Sequence, residues 1–159
     1  MHKRPTSPYI GFQRYFLTLS ACAGQTRFAD RRVVEPVRWL LLRLATVRGF
    51  SIPAYCFLPG RLDLLAEGMR ADADLRRFVS AFKQQSAEQF DRSSRRRLWQ
   101  DGYRERILRG DEQTIAVAAG ILNGPVRAGL VEAFDQYLFS GSDRYTMPEI
   151  ADVLARRRT

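Results

Sequence analysis

Residues 50–65 read Phe50-Ser51-Ile52-Pro53-Ala54-Tyr55-Cys56-Phe57-Leu58-Pro59-Gly60-Arg61-Leu62-Asp63-Leu64-Leu65. Phe50 to Leu58 is rich in aromatic and branched apolar residues, the composition of a β-strand. Tyr55 and Phe57 alternate along it as core residues do. Pro53 has no N–H to give to a ladder, so the strand must lie at an edge or carry a bulge there. Pro59-Gly60 is a strong turn signal. Leu62, Leu64 and Leu65 then open another strand, which Gly68 stops.

The neighbouring segments complete the pattern. Upstream, Tyr9 to Ala21 reads as the first strand. Val33, Val37, Leu40, Leu41, Leu44 and Val47 recur at helical spacing, with Pro36 expected in the first turn and Gly49 ending the helix. Downstream, Asp72 or Asp74 is placed to cap a helix that buries Leu75, Phe78, Val79 and Phe82 and reaches Phe90. A basic loop from Asp91 to Arg97 follows, then a strand from Tyr103 to Leu108. A third helix, with Asp111 as its expected cap, runs through Ile115 and Leu122 to Gly124-Pro125. The order strand, helix, strand, strand, helix, strand, helix predicts an α+β fold. It is a ferredoxin-like split βαβ antiparallel sheet with two covering helices, plus a third helix after the last strand. The opposite sheet face is expected to be left free. Residues 1–145 form this domain, and 146–159 a C-terminal helical basic tail.

Composition narrows the function. The chain has 159 residues, a net charge of +9, two cysteines and one histidine, His2. Enzymes built on a histidine pair are excluded, and so are disulfide scaffolds and zinc sites built on cysteines. No apolar run reaches the length that spans a bilayer. All but two of the 26 basic residues are arginine, the exceptions being Lys3 and Lys83. Guanidinium groups bind phosphates bidentately and stack on bases, so the charge points to nucleic acid. Leu19-Ser20-Ala21-Cys22, after a basic start at His2, Lys3 and Arg4, has the look of an export signal. Gln13 and Arg14 interrupt its apolar part, however, and the segment reads equally well as a strand. A cytoplasmic protein with no membrane partner is expected.

Three stretches carry a resemblance. They are Ala54 to Leu65, then Leu98-Trp99-Gln100-Asp101-Gly102-Tyr103, then Asn123-Gly124-Pro125-Val126-Arg127-Ala128-Gly129-Leu130-Val131. In this order they resemble landmarks of the REP-associated and insertion-sequence tyrosine transposases, across roughly residues 9–145. The resemblance implies the same ferredoxin-like sheet and a chemistry on single-stranded DNA beside imperfect hairpins. In that family two histidines and a third polar ligand hold a divalent metal such as magnesium or manganese. A tyrosine attacks the scissile phosphate and becomes covalently linked to it.

This sequence departs from the family at every reactive position. The pattern Met-Pro-Asn-His-hydrophobic-His is matched by Leu58-Pro59-Gly60-Arg61-Leu62-Asp63, so Arg61 and Asp63 stand at the ligand positions. Counting back from Pro125, the nucleophile position holds Gly120 and the third-ligand position Gly124. No catalytic residue and no metal or other cofactor is therefore expected.

What survives is binding. Arg95, Arg96 and Arg97 precede Trp99, and Arg104 and Arg106 follow it, an interleaving of cations with a stacking ring. Arg61 and Arg127 are further candidates for DNA phosphates. Arg104, Arg106 and Leu108 share one strand face, and Tyr103, Glu105 and Ile107 the other. The leading expectation is a transposase-derived protein that binds single-stranded or hairpin DNA without cutting it. Two alternatives remain. One is a residual metal-dependent nuclease using Asp63 with Glu67; the other is a protein-interaction module, including a homodimer.

Overall fold

The structure, a computed structural model, describes residues 7–157. The basic start at His2, Lys3 and Arg4, and Arg158 of the tail, lie outside the described residues. The elements run β1 (Arg14–Ser20), α1 (Arg31–Arg48), β2 (Phe50–Leu58), β3 (Arg61–Gly68), α2 (Leu75–Ser94), β4 (Arg104–Ile107), α3 (Thr114–Leu122), α4 (Gly124–Arg127), β5 (Ser140–Gly141) and α5 (Met147–Arg156). All strand pairs are antiparallel and their order is β4-β1-β3-β2-β5. This is the split βαβ sheet that the strand and helix order predicts, extended at one edge by β5. Two residues bounded by loop are too short a signal to read as a strand.

Alternation divides the sheet between two cores. Tyr15, Leu17 and Leu19 of β1 and Leu62, Leu64 and Ala66 of β3 face α1 and α2. In β2 the register slips between Ser51 and Ala54, around Pro53. The bulge shifts the phase by one residue, so Phe50, Ile52, Tyr55 and Phe57 all join the same core. Of the two places that Pro53 allowed, the bulge is the one occupied.

Local chemistry sets the helix boundaries. The Asp30 carboxylate accepts the Arg32 N–H at 2.9 Å to open α1, and Gly49 closes it with φ 81°. Asp74, not Asp72, opens α2. Pro36 lies inside α1 rather than in its first turn. Its cost of about 3 kcal/mol is outweighed by the buried stripe of Val34, Val37, Leu40, Leu41 and Leu44. The basic loop expected from Asp91 is shorter than read, because α2 continues to Ser94 and ends in a left-handed Arg95 with φ 55°. Asp111 does not cap α3. It pairs with Arg109 at 3.2 Å, and Gln113 stands at the cap without a side-chain bond. Instead, the Arg14 guanidinium reaches from β1 to Thr114 Oγ1 at 3.0 Å and the Arg109 carbonyl at 2.7 Å.

The second sheet face is not free. Ala54, Cys56, Leu58 and Leu65 carry Ala118, Ala119, Ile121 and Leu122 of α3 in a second core. The segment expected as a basic tail belongs to it as well. Thr146 and Glu149 form a capping box at the start of α5, and Ile150 is fully buried in the second core, with Val153 and Leu154 packed against it. Ile150→Ala should therefore cost about 2–5 kcal/mol of unfolding free energy in a urea titration. A loss within 0.5 kcal/mol would mean that α5 is a dispensable appendage.

Candidate nucleic-acid interface

The strand register fixes which side chains meet on the second face. Thr18 pairs with Arg104 on one side and Asp63 on the other, and Asp63 pairs with Cys56. Phe16 pairs in the same way with Arg106 and Leu65, and Ser20 with Arg61. Helix α3 lies over the apolar β2 and β3 positions. Arg61 at the start of β3 and Arg104 and Arg106 on β4 stay exposed.

Asp63 is a carboxylate only 6% exposed, in the middle of this face. It accepts the Thr18 hydroxyl at 2.9 Å and the Arg61 Nε–H at 3.1 Å, one on each oxygen. Half-exposed Arg61 thus spends one nitrogen on Asp63. Its two terminal nitrogens have no protein partner among the described residues. This arrangement does not fit a divalent cation, because a fixed positive charge occupies the neighbouring ligand position and no group of three His, Cys, Asp or Glu side chains gathers among the described residues. Asp63 and Glu67 do not come together either. They lie four residues apart on one strand, about 13 Å at the strand rise, and Glu67 is paired with Arg144 at 2.8 Å.

Beside this network lies a cleft of about 340 Å³ between the sheet and α3, lined by Phe16, Arg106, Glu112, Val117, Gly120, Arg127 and Arg157. Arg106 donates to Glu112 at 2.6 Å, and its guanidinium sits 6.0 Å from the centre of the Phe16 ring. The Arg109 backbone N–H, and then Arg106, hold the Glu112 carboxyl below its usual range. Arg127 donates to the Gly120 carbonyl at 2.8 Å, and Arg157 to the Ala116 carbonyl. The Gly120 carbonyl lies in the last turn of α3, an end that favours cations, whereas Ala116 lies in its first turn. Arg104 is exposed on β4 and has no protein partner among the described residues.

Gly120 and Gly124 are not required by the backbone. A Cβ at Gly120 would stand 3.6 Å from Arg157 Nη1, and one at Gly124 would stand 3.7 Å from Arg127 Nη2, both ordinary contacts. A larger side chain at 120 would extend into the cleft. The glycine leaves that volume open.

The structure divides the expected binding residues. Arg61, Arg104, Arg106 and Arg127 share the second sheet face. Trp99 does not join them: it is 4% exposed, packs against Phe28 and Phe82, and its Nε1–H donates to the buried Ser86 hydroxyl at 2.9 Å. It is a core residue and offers no stacking face. Arg95 ends α2, and Arg97 pairs with Asp101. Arg96 lines a groove with Asp30, Arg32 and Phe90, between the start of α1 and the end of α2. These three arginines therefore belong to the helix side of the molecule. Phe16, Thr18 and Arg157 were missed. The alternation of β1 signals the first two; the i, i+3, i+4 stripe of Ile150, Val153 and Leu154 signals that α5 docks and carries Arg157 inward.

No protein-family model matches the chain, and no curated protein matches it in sequence. The fold itself is of the transposase type. Over 88% of this chain and 82% of the other, it superposes on a REP-associated tyrosine transposase bound to a REP hairpin, with a TM-score of 0.71 at 19% identity. A protein of Deinococcus radiodurans R1 classed as a transposase matches with a TM-score of 0.51, also at 19% identity, over 77% of this chain and 97% of that one. Likeness at this identity is likeness of fold.

Two measurements check the site's chemistry. Gly120→Ala should raise stability by about 0.5–1 kcal/mol, the usual penalty of a helical glycine; a loss would show that the glycine is sterically required. The second concerns alkali. Burial pushes the Cys56 thiol up to about 12, and the Tyr15 and Tyr137 hydroxyls likewise to about 12. The unfolded chain releases these protons first, from ordinary values of 9.0 and 10.0. Stability should hold through neutral pH and fall as pH rises from about 9 towards 12. A flat profile across that window would contradict the burial of these groups.

Proposed function

We propose that this chain is a DNA-binding protein of the transposase fold, which takes single-stranded or hairpin DNA on the cationic half of its second sheet face and does not cut it. The observation that carries this reading is that Arg61, Arg104 and Arg106 point from the second sheet face, where Arg106 and Arg127 line a cleft left open at Gly120. Phosphates would lie on the unpaired nitrogens of Arg61 and on Arg104, with the half-buried Phe16 ring offering an apolar edge to a base. That one structural neighbour was solved with a REP hairpin supports the choice of DNA. No helix among the described residues is long and apolar enough to cross a membrane, and a cytoplasmic location agrees with a DNA partner.

The absence of cutting rests on the groups at hand. Phosphoryl transfer needs an aligned nucleophile and a group that neutralises the developing charge. Cys56 is buried and keeps its proton far above neutral pH. Gly120 brings no oxygen, and Asp63 is committed to Thr18 and Arg61. Arg61 supplies the positive charge without a reacting atom.

The test is a titration of a DNA hairpin with a single-stranded flank against a random strand of equal length. Four phosphate contacts should give a slope of log K on log salt near −3. Arg61→Ala should weaken hairpin binding by about 1–3 kcal/mol and flatten the slope by about one. Weak, salt-insensitive binding to both DNAs would sink the reading. Incubation with magnesium or manganese should leave the DNA intact; a cleaved strand or a covalent adduct would restore the nuclease alternative.

A further inference from the structure

On the opposite side of the molecule, α1 and α2 leave a groove between them. A cavity of about 700 Å³ there is lined by Arg43, Val47, Arg48, Arg70, Asp72, Asp74 and Arg77 among others. A second cavity, about 570 Å³, continues it past Arg48 and Arg77 to Arg76 and Ser80. Five guanidinium groups thus face two carboxylates. Arg70 and Arg77 pair with Asp72 and Asp74 at 3.4 and 3.6 Å. Arg76 lies over the Tyr9 ring at 4.1 Å. Arg43 and Arg48 have no acidic partner among the described residues.

One helical turn before Arg43 on α1 stands Trp39, 60% exposed, with the Arg43 guanidinium 5.2 Å from its ring centre. Trp39, Arg43 and exposed Val47 recur every fourth residue on α1. They cover about 12 Å of helix axis, the length of three to four nucleotides at 3.4 Å per step. An exposed indole beside guanidinium groups along an extended groove is the equipment of a nucleic-acid strand: charge for phosphates and a flat ring for a base. Trp39 is the exposed aromatic that Trp99 is not.

We propose that the groove between α1 and α2 is a second nucleic-acid surface, so that one chain holds two DNA segments, one on each side of the sheet. A short DNA stem is stiff on this scale and cannot bend around the domain to reach both. The surface is independent of the sheet-face site and needs none of its residues.

The intact chain is mixed with two short hairpins with single-stranded flanks, one carrying a donor and the other an acceptor fluorophore. Energy transfer between them, with a light-scattering mass of one chain plus two hairpins, is the expected result. Arg43→Ala/Arg48→Ala/Arg77→Ala should abolish the transfer while leaving the affinity for the first hairpin within about twofold, as surface substitutions on separate sites do. Trp39→Ala, a milder change, should weaken the second binding by about tenfold. Thermal unfolding of each variant confirms that it is folded. A mass that never exceeds one hairpin per chain overturns the proposal when the groove variants leave that hairpin bound, and so does transfer that survives the triple change, which would mean bridging by paired chains. Binding to phosphatidylserine vesicles that the triple change removes, without a second hairpin, overturns it in favour of a membrane surface. If Arg104→Ala/Arg106→Ala removes one bound hairpin and the groove variants the other, both sites stand. If the groove variants remove all binding and Arg104→Ala/Arg106→Ala none, the groove survives and the sheet-face reading falls.

Discussion

Ala54, Cys56, Leu58 and Leu65 hold α3 against one half of the second sheet face by burying it, and the adjoining half cannot be covered in the same way. There the register presents Thr18, Arg61, Arg104 and Arg106, and a helix laid over them would strip water from guanidinium groups without returning partners. The boundary between the two halves determines where α3 stops and where its exposed flank meets the sheet. It also fixes the position of the cleft at Gly120. Helix α5 then docks on the outer side of α3 through Ile150 and brings Arg157 to the same rim. A different pattern at the four apolar positions would let α3 slide, and the arginines would no longer share a cleft.

Asp63 decides the chemistry within that frame. A carboxylate so deeply buried needs hydrogen-bond partners in place of the water it has lost. Thr18 and Arg61 meet this need. The same bonds place a guanidinium, not an open site, against the carboxylate. Exposed ion pairs such as Arg97 with Asp101 carry no such weight, since solvent screening leaves them worth little. Arg61 is at once a structural partner, through Nε, and a cation presented outward, through its terminal nitrogens.

Much of this was legible in the chain. The alternation of Tyr15, Leu17 and Leu19, the helical stripe from Val37 to Leu44, and the stop at Gly49 each follow from local rules and appear as read. Pro53 announced an edge position or a bulge because a missing N–H has few places to go, and the bulge is what forms. The failures share a cause. Trp99 in a run of arginines looks like a platform, but its indole is drawn into a core assembled from Phe28 and Phe82, far away in sequence. Pro36, Asp111 and the end of α2 were misplaced because a buried stripe, or a contact such as that of Arg14 with Thr114, outweighs a local preference. The covered half of the second face was hidden for the same reason: α3 and α5 bury each other, and neither alone shows where it will dock. The Gly120 and Arg61 positions were visible through the motif spacing, whereas the bonds of Asp63 to Thr18 and Arg61 needed coordinates.

Three guanidinium groups, Arg106, Arg127 and Arg157, line the cleft at Gly120 with Glu112 as the carboxylate among them. At physiological ionic strength the screening length is about 8 Å, so like charges lining a single cleft of this size are only partly damped in their repulsion. Arg127 and Arg157 are held in place by carbonyls of α3, neutral acceptors that fix position without cancelling charge. The folded protein therefore carries an electrostatic cost at this point, which a bound phosphate would relieve. A tyrosine side chain in the same volume would fill it and separate the charges; glycine does neither. Glycine at 120 thus leaves the guanidinium groups of this cleft open to solvent with no side chain between them.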